Sequence, residues 1–142
     1  MDALQRFLDA QAPVHAQVQA ELRAGRKQTH WMWFVFPQLR GLGHSAMAQR
    51  YGIADLAEAR AYAQHPVLGE CLRENLQLLL TQRDLEAEDM LGEIDALKLR
   101  SCVTLFAEAA PHAPLYREVL ERFYGGRPDP HTLVLLHGTP SS

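Results

Sequence analysis

Asp95, Lys98 and Ser101 stand at steps of three in the segment EIDALKLRSCVTLFAEAA. On a helix that spacing sets them along one stripe, about a turn apart. Around them Ile94, Leu97, Leu99, Cys102, Val103, Leu105 and Phe106 fall on more than one face, the pattern of a helix buried nearly all round. An ionisable group in such a setting is costly unless it is paired. Two readings follow. Asp95 and Lys98 neutralise one another as a structural pair, or they face a pocket. In a pocket, a carboxylate held by a lysine can orient a sugar hydroxyl or act as a general acid or base. The three-residue spacing does not separate the two.

The stretch HWMWFVFPQLRGLGHS, residues 30–45, is the second candidate. Read as an extended chain, it points Trp31, Trp33 and Val35 one way and Met32, Phe34 and Phe36 the other. Both sides are large and apolar, as in a buried central segment. Each buried aromatic removes roughly 150–250 Å² from water, so the run suits a core plug. It equally suits a pocket wall, with one tryptophan stacked on a flat ring and each indole N–H satisfied by a partner.

After Pro37 and Gln38 the chain passes through Gly41 and Gly43, then His44, to Ser45, a fitting helix N-cap. A glycine turn opening a helix can bring bare amides towards an anion such as phosphate. The pattern lacks the third glycine of a dinucleotide fingerprint. Arg26 and Lys27 form the one basic pair nearby. His15, His30, His44, His65, His112, His131 and His137 are scattered, with no pair at ligand spacing, so the sequence calls for no metal. His30 and His44 flank the aromatic run, whereas His65 before Pro66 reads as a helix cap. No P-loop, nucleophile elbow or Cys-x-x-Cys occurs.

The elements that must position these groups read as helices. DALQRFLDAQ spaces Leu4, Phe7 and Leu8 helically, with Asp2 as a cap. Pro13 opens a second helix through Val14, Val18 and Leu22, closed by Gly25. SAMAQRYGI is a short helix stopped by Gly52. Asp55 with Glu58 gives a capping-box-like start to 56–63. Pro66 begins a helix with a wide apolar stripe ending near Thr81. Residues 83–92 read as short helix or turn, and 93–110 as the buried helix. PLYREVLERFYGG is amphipathic, and Asp129-Pro130 caps a last helix before a frayed tail, 139–142. The only strand signal is residues 31–36, and one strand makes no sheet. The expectation is a mainly α, compact single domain, 1–138, of about seven helices with at most a short extended segment.

The 142 residues suit one domain, and 47% hydrophobic with 22% charged residues is ordinary globular composition. A net charge of −3 argues against a general nucleic-acid binder, which needs a basic excess to release counterions. Cys71 and Cys102 lie in apolar helical patterns and read as buried free thiols. MDALQRFLDAQ lacks the basic and apolar regions of a signal peptide, and no apolar run approaches the roughly 20 residues that span a bilayer. The expected setting is the cytosol, without a membrane.

Four segments carry a resemblance: ELRAGRKQTHWMWFVFPQLRGLGHSAMAQRYGI, HPVLGECL, GEIDALKLRSCVTLF and FYGGRPDPHTLVLL. Together they resemble the bacterial family designated domain of unknown function 1810 over nearly the whole chain. The family typically has a second serine after Ser101, where this chain has Cys102. The calpastatin label sometimes attached to the family does not suit this sequence, because a calpain inhibitor of that kind would be disordered and repetitive. The resemblance implies a mainly helical domain, and a remoter similarity to the YbiA-like NADAR domains, which cleave N-glycosidic bonds in ADP-ribose-type compounds. No position here matches their catalytic glutamate.

On that resemblance the site would take a nucleotide-sugar or ADP-ribose-like ligand. Trp31 or Trp33 would stack on the base, with Gln38 and His30 beside it. Asp95 would steady the sugar in an oxocarbenium-like state, positioned by Lys98 and Ser101. Arg26, Lys27 and the Gly41, Gly43, Ser45 turn would hold phosphate. No cofactor is implied. The rival reading is a non-catalytic ligand-sensing or protein-interaction module, able to form a homodimer through an exposed helix face.

Overall fold

The computed structural model describes residues 3–138. The chain enters through α1, Gln5–Gln11, and a 3-10 turn, Ala12–Val14, into α2, His15–Ala24. Gly25 ends α2 in the left-handed conformation (φ 71°) that glycine adopts without strain. The single turns and short helices α3, Met32–Val35, and α4, Ala46–Tyr51, follow. Next come α5, Leu56–Gln64, and α6, Leu68–Leu80. The last four are α7, Ala87–Leu91, α8, Glu93–Ala109, α9, Leu115–Tyr124, and α10, Pro130–His137. The fold is mainly α, as the periodicity predicts. The helix count exceeds seven because the short segments count as helices of their own: α4 and α7 where a short helix or turn was expected, and α3 where the strand signal lay. The expected Asp2 cap and the frayed tail at 139–142 lie outside the described residues.

Residues 31–36 correct the one strand expectation. Val35 N–H donates to the Trp31 carbonyl at 3.1 Å, and Phe36 N–H to that of Met32 at 3.2 Å. A lone buried strand would leave these groups without partners, whereas one helical turn satisfies them locally. Extended pairing occurs instead at Leu39 and Ile53, a single parallel bridge. There Arg40 N–H donates to Ile53 O at 2.8 Å and Ile53 N–H to Gln38 O at 2.9 Å. Gly52 permits this approach: a Cβ on it would lie 2.7 Å from Ala48 O and 2.8 Å from the Arg40 Cα.

The centre of the molecule is α8, which packs against α5, α7, α9 and α10. From Ala96 onward it buries Leu99, Cys102, Val103, Leu105 and Phe106 around its circumference. Its first turns differ, since Ile94 and Leu97 are 72% and 63% exposed. Aromatic rings run through the core in a row. Phe34 meets Tyr51 at 5.3 Å, Phe7 meets Tyr62 edge-on at 5.1 Å, Tyr62 meets Phe106 at 5.3 Å, and Phe106 meets Tyr116 at 5.8 Å. Cys102 is buried, but Cys71 is only half-buried, and both thiols are free. Burial pushes the Cys102 thiol well up, which keeps it protonated and inert.

Caps sit where the sequence puts them. The Ser45 hydroxyl accepts from Ala48 N–H at 3.1 Å, Asp55 from Glu58 N–H at 2.9 Å, and Asp129 from Thr132 N–H at 3.0 Å. His65 Nδ1 accepts from Val67 N–H at 3.1 Å and Leu68 N–H at 3.2 Å, the capping role expected of it. Glu58 reaches back to Ala54 N–H at 3.0 Å, one residue beyond the capping-box position.

Candidate functional site

The site is built on a carboxylate near the end of α2. Glu21 shares a face with Val18 and Leu22 and is buried with them. Its Oε1 accepts from Gln28 N–H at 2.6 Å, Thr29 N–H at 3.0 Å and the Trp31 indole Nε1–H at 3.1 Å. Its Oε2 accepts from the Thr29 hydroxyl at 2.6 Å and Gln17 Nε2 at 2.8 Å. Burial alone would raise the Glu21 pKa, but the donors from Thr29, Gln28 and Gln17 outweigh it and lower it to about 2. One ionised side chain thus folds the loop at 26–31 and holds Trp31. Lys27 N–H fastens the same loop to α7 through the Met90 carbonyl at 2.8 Å.

From that loop an alternating row of rings and charges crosses to α8. The Lys27 ammonium lies 5.2 Å from the Trp31 ring centroid and 3.0 Å from Asp95 Oδ2. Asp95 Oδ1 faces the Lys98 ammonium at 3.8 Å, and that ammonium lies 5.5 Å from the Trp33 ring centroid. The side chains of Lys27, Asp95 and Lys98 are 10%, 18% and 28% exposed, so the row opens to solvent towards Lys98. Trp31 is only 1% exposed and packs at a tilt against Phe36, ring centroids 6.0 Å apart. Trp33 is half-buried, and no ring among the described residues stacks on it.

Trp33, Lys98 and Gln38 also line one crevice, floored by Met32, Phe36 and Tyr51. Its free volume is about 10 Å³, room for a single water. The crevice is too small for anything larger, and Trp33 and Lys98 form a ledge at its edge. Gly43 closes the Gln38 side: a Cβ there would meet Ala48 Cβ at 2.9 Å and Gln38 Nε2 at 3.5 Å.

The remaining candidates lie elsewhere or are spent. Ser101 is buried and donates to Leu97 O and Asp129 Oδ2, both at 3.2 Å, so it anchors α10 rather than joining Asp95. Ser45 is engaged in its cap. Gly41 (φ +106°) needs its glycine for backbone shape and packs beside Leu135. Arg26 and His30 are exposed. Glu21 is the residue that sequence reasoning missed. The signal was present, since positions 18, 21 and 22 share one helical face and an acid stands between two core residues.

The chain matches, over residues 1–136, the family described as "Protein of unknown function (DUF1810)". It is similar in structure to the conserved hypothetical protein Rv1873 from Mycobacterium tuberculosis, with a TM-score of 0.93 and 51% sequence identity over 96% of this chain and 97% of that one. No curated protein matches it. Among the described residues no helix is long and apolar enough to cross a membrane. With the family covering nearly its whole length, the chain belongs to the DUF1810 proteins.

Proposed function

We propose that this domain binds a small nucleotide-like molecule on the ledge formed by Trp33, Lys98, Asp95 and Lys27. The observation that carries the reading is the position of the Lys98 ammonium, 5.5 Å from the Trp33 ring and 3.8 Å from Asp95 Oδ1. One cation serves an aromatic surface and a carboxylate at once. A flat ring would stack on the uncovered part of Trp33, and an anionic group would meet Lys98. Asp95 Oδ1, beyond hydrogen-bonding distance of Lys98, keeps lone pairs for a sugar hydroxyl.

Binding is favoured over cleavage because Asp95 Oδ2 is bonded to Lys27 at 3.0 Å. An oxygen that already holds an ammonium is not open to position an attacking water. The free Oδ1 supports N-glycoside hydrolysis as the second reading, with Asp95 steadying the oxocarbenium-like sugar.

The test is calorimetric titration with ADP-ribose, NAD and a phosphoribosyl amine, alongside chromatography of the incubated compounds. Saturable binding weakened at least about tenfold by Lys98→Ala supports the ledge, a loss of about 1.4 kcal/mol. Cleavage abolished by Asp95→Asn moves the conclusion to the hydrolase. No binding by any of the three at millimolar concentration overturns both.

A further inference from the structure

A second hollow lies on the other side of Tyr51, whose side chain borders both it and the Trp33 crevice. It is an open cleft of about 890 Å³ between α1 and α4, in the size range of small-molecule sites. Three arginines line it, Arg6, Arg40 and Arg50, against one acid among the described residues, Asp9. In a chain of net charge −3 this is a local concentration of the opposite sign.

The three arginines are not equivalent. Arg6 is consumed by structure: its Nε donates to Arg50 O at 2.8 Å, one terminal nitrogen donates to Gly52 O at 2.9 Å and Glu58 Oε1 at 2.8 Å, and the other donates to Ala3 O. It therefore fixes the backbone that carries Arg50. Arg40 is fixed at its base by the bridge to Ile53 and gives one terminal nitrogen to Gly52 O at 3.1 Å, which leaves its remaining N–H donors for a ligand. The Arg50 guanidinium lies 5.4 Å from the Tyr51 ring centroid. Neither Arg40 nor Arg50 forms an ion pair among the described residues. Asp9 is held by Gln5 Nε2 at 2.9 Å.

We infer that this cleft binds the polyphosphate or phosphate-ester group of a small molecule, through Arg40 and Arg50. Two guanidinium groups with free donors match the tetrahedral oxygens of phosphate with paired N–H···O bonds, and cleft walls strengthen their field. The inference stands apart from the Trp33 ledge, because none of its arginines touches Lys98, Asp95 or Lys27.

The experiment titrates wild-type protein with inorganic tripolyphosphate by calorimetry at low and at moderate salt, with sulfate at matched ionic strength as the competitor. Saturable one-site binding is expected, weakened at least about tenfold in Arg50→Ala and further in the Arg40→Ala/Arg50→Ala protein. Arg50 makes no side-chain hydrogen bond among the described residues, so Arg50→Ala should leave the fold intact even where loss of the Arg40 bond to Gly52 costs stability. Tripolyphosphate affinity that is lost in Lys98→Ala and kept in the Arg40→Ala/Arg50→Ala protein would place the phosphate on the ledge and overturn the inference. Unchanged affinity in Arg50→Ala and in the double variant, equal displacement by sulfate, or no wild-type binding at low salt overturns the inference.

Discussion

The indole of Trp31 and the carboxylate of Glu21, ten residues apart, are joined by one hydrogen bond of 3.1 Å inside the core. That contact is one of five that Glu21 accepts. Cutting the acceptor away leaves buried donors without partners, at about 1–3 kcal/mol each where water cannot replace it. Glu21→Ala should therefore destabilise the fold by about 3 kcal/mol or more in denaturant unfolding. Glu21→Gln keeps the shape but turns an N–H₂ towards Thr29 or Gln17, and should cost nearly as much.

The same residue sets an acid dependence. Its pKa falls from 4.5 to about 2 on folding, so the folded state holds the ionised form more strongly than the unfolded chain does. The stabilisation is complete above pH 4.5 and is lost as the pH falls through that value towards about 2. A shift of this size corresponds to about 3 kcal/mol. Chemical unfolding of the wild type should show this decline between pH 5 and about 2. Glu21→Gln should show a shallower decline over the same interval. Parallel profiles would mean that the Glu21 pKa does not change on folding.

Gly69 marks the closest helix approach in the molecule among the glycines. A Cβ there would stand 2.1 Å from Ala63 O and 2.8 Å from its carbonyl carbon. Alanine normally favours a helix interior over glycine by about 1 kcal/mol. Here the obstacle is backbone, which cannot swing aside, so α6 must move off α5. Gly69→Ala should lower stability by about 2 kcal/mol or more, reversing the usual sign. Thermal unfolding of the purified variant is the measurement.

The helices were legible because their signals are local. Ser45, Asp55, Asp129 and His65 cap where their types and spacing say, and the all-round apolar pattern of 93–110 does mark the central helix. Residues 31–36 were misread because a six-residue apolar run has no period that separates a strand from a helical turn. The pairing of Lys27 with Asp95 was illegible for another reason. It joins positions 68 residues apart, and nothing in either local sequence specifies the partner. Ser101 follows the same logic in reverse: its spacing from Asp95 suggested company, but a 17-residue helix presents different faces to different neighbours, and Ser101 faces α10.

That facing predicts how α10 is docked. Asp129 Oδ2 accepts from the Thr132 hydroxyl at 2.6 Å, Thr132 N–H at 3.0 Å and the Ser101 hydroxyl at 3.2 Å. Asp129 N–H donates to the Thr104 hydroxyl at 2.8 Å, and Arg100 grips the Arg127 and Pro128 carbonyls, each at 2.9 Å. Asp129→Ala removes both a helix cap and the link to α8, and should cost about 2 kcal/mol. Ser101→Ala leaves Asp129 with its Thr132 donors and should cost about 1 kcal/mol or less. Ser101→Ala should not change ligand affinity at the Trp33 ledge in calorimetry. A tenfold loss there would return Ser101 to the binding machinery.

The Lys27–Asp95–Lys98 row makes the two lysines unequal, and a double-mutant cycle can read the inequality. Lys27 is 10% exposed, 3.0 Å from Asp95 and beside the buried Trp31 ring. Lys98 is 28% exposed and 3.8 Å away. Solvent screens the second pair more than the first, so its coupling to Asp95 should be about 0.5 kcal/mol or less, as for exposed pairs. The Lys27 coupling should reach about 1–2 kcal/mol, because breaking it leaves a charge in a mostly buried place. Asp95→Asn should therefore destabilise the protein mainly through Lys27, and Lys27→Met should recover part of that loss when combined with it. Lys98→Ala should leave stability nearly unchanged while weakening the ligand. If Lys98→Ala instead cost as much stability as Lys27→Met, the amine would be a structural strut, and the ledge would lose the free cation on which its binding role depends.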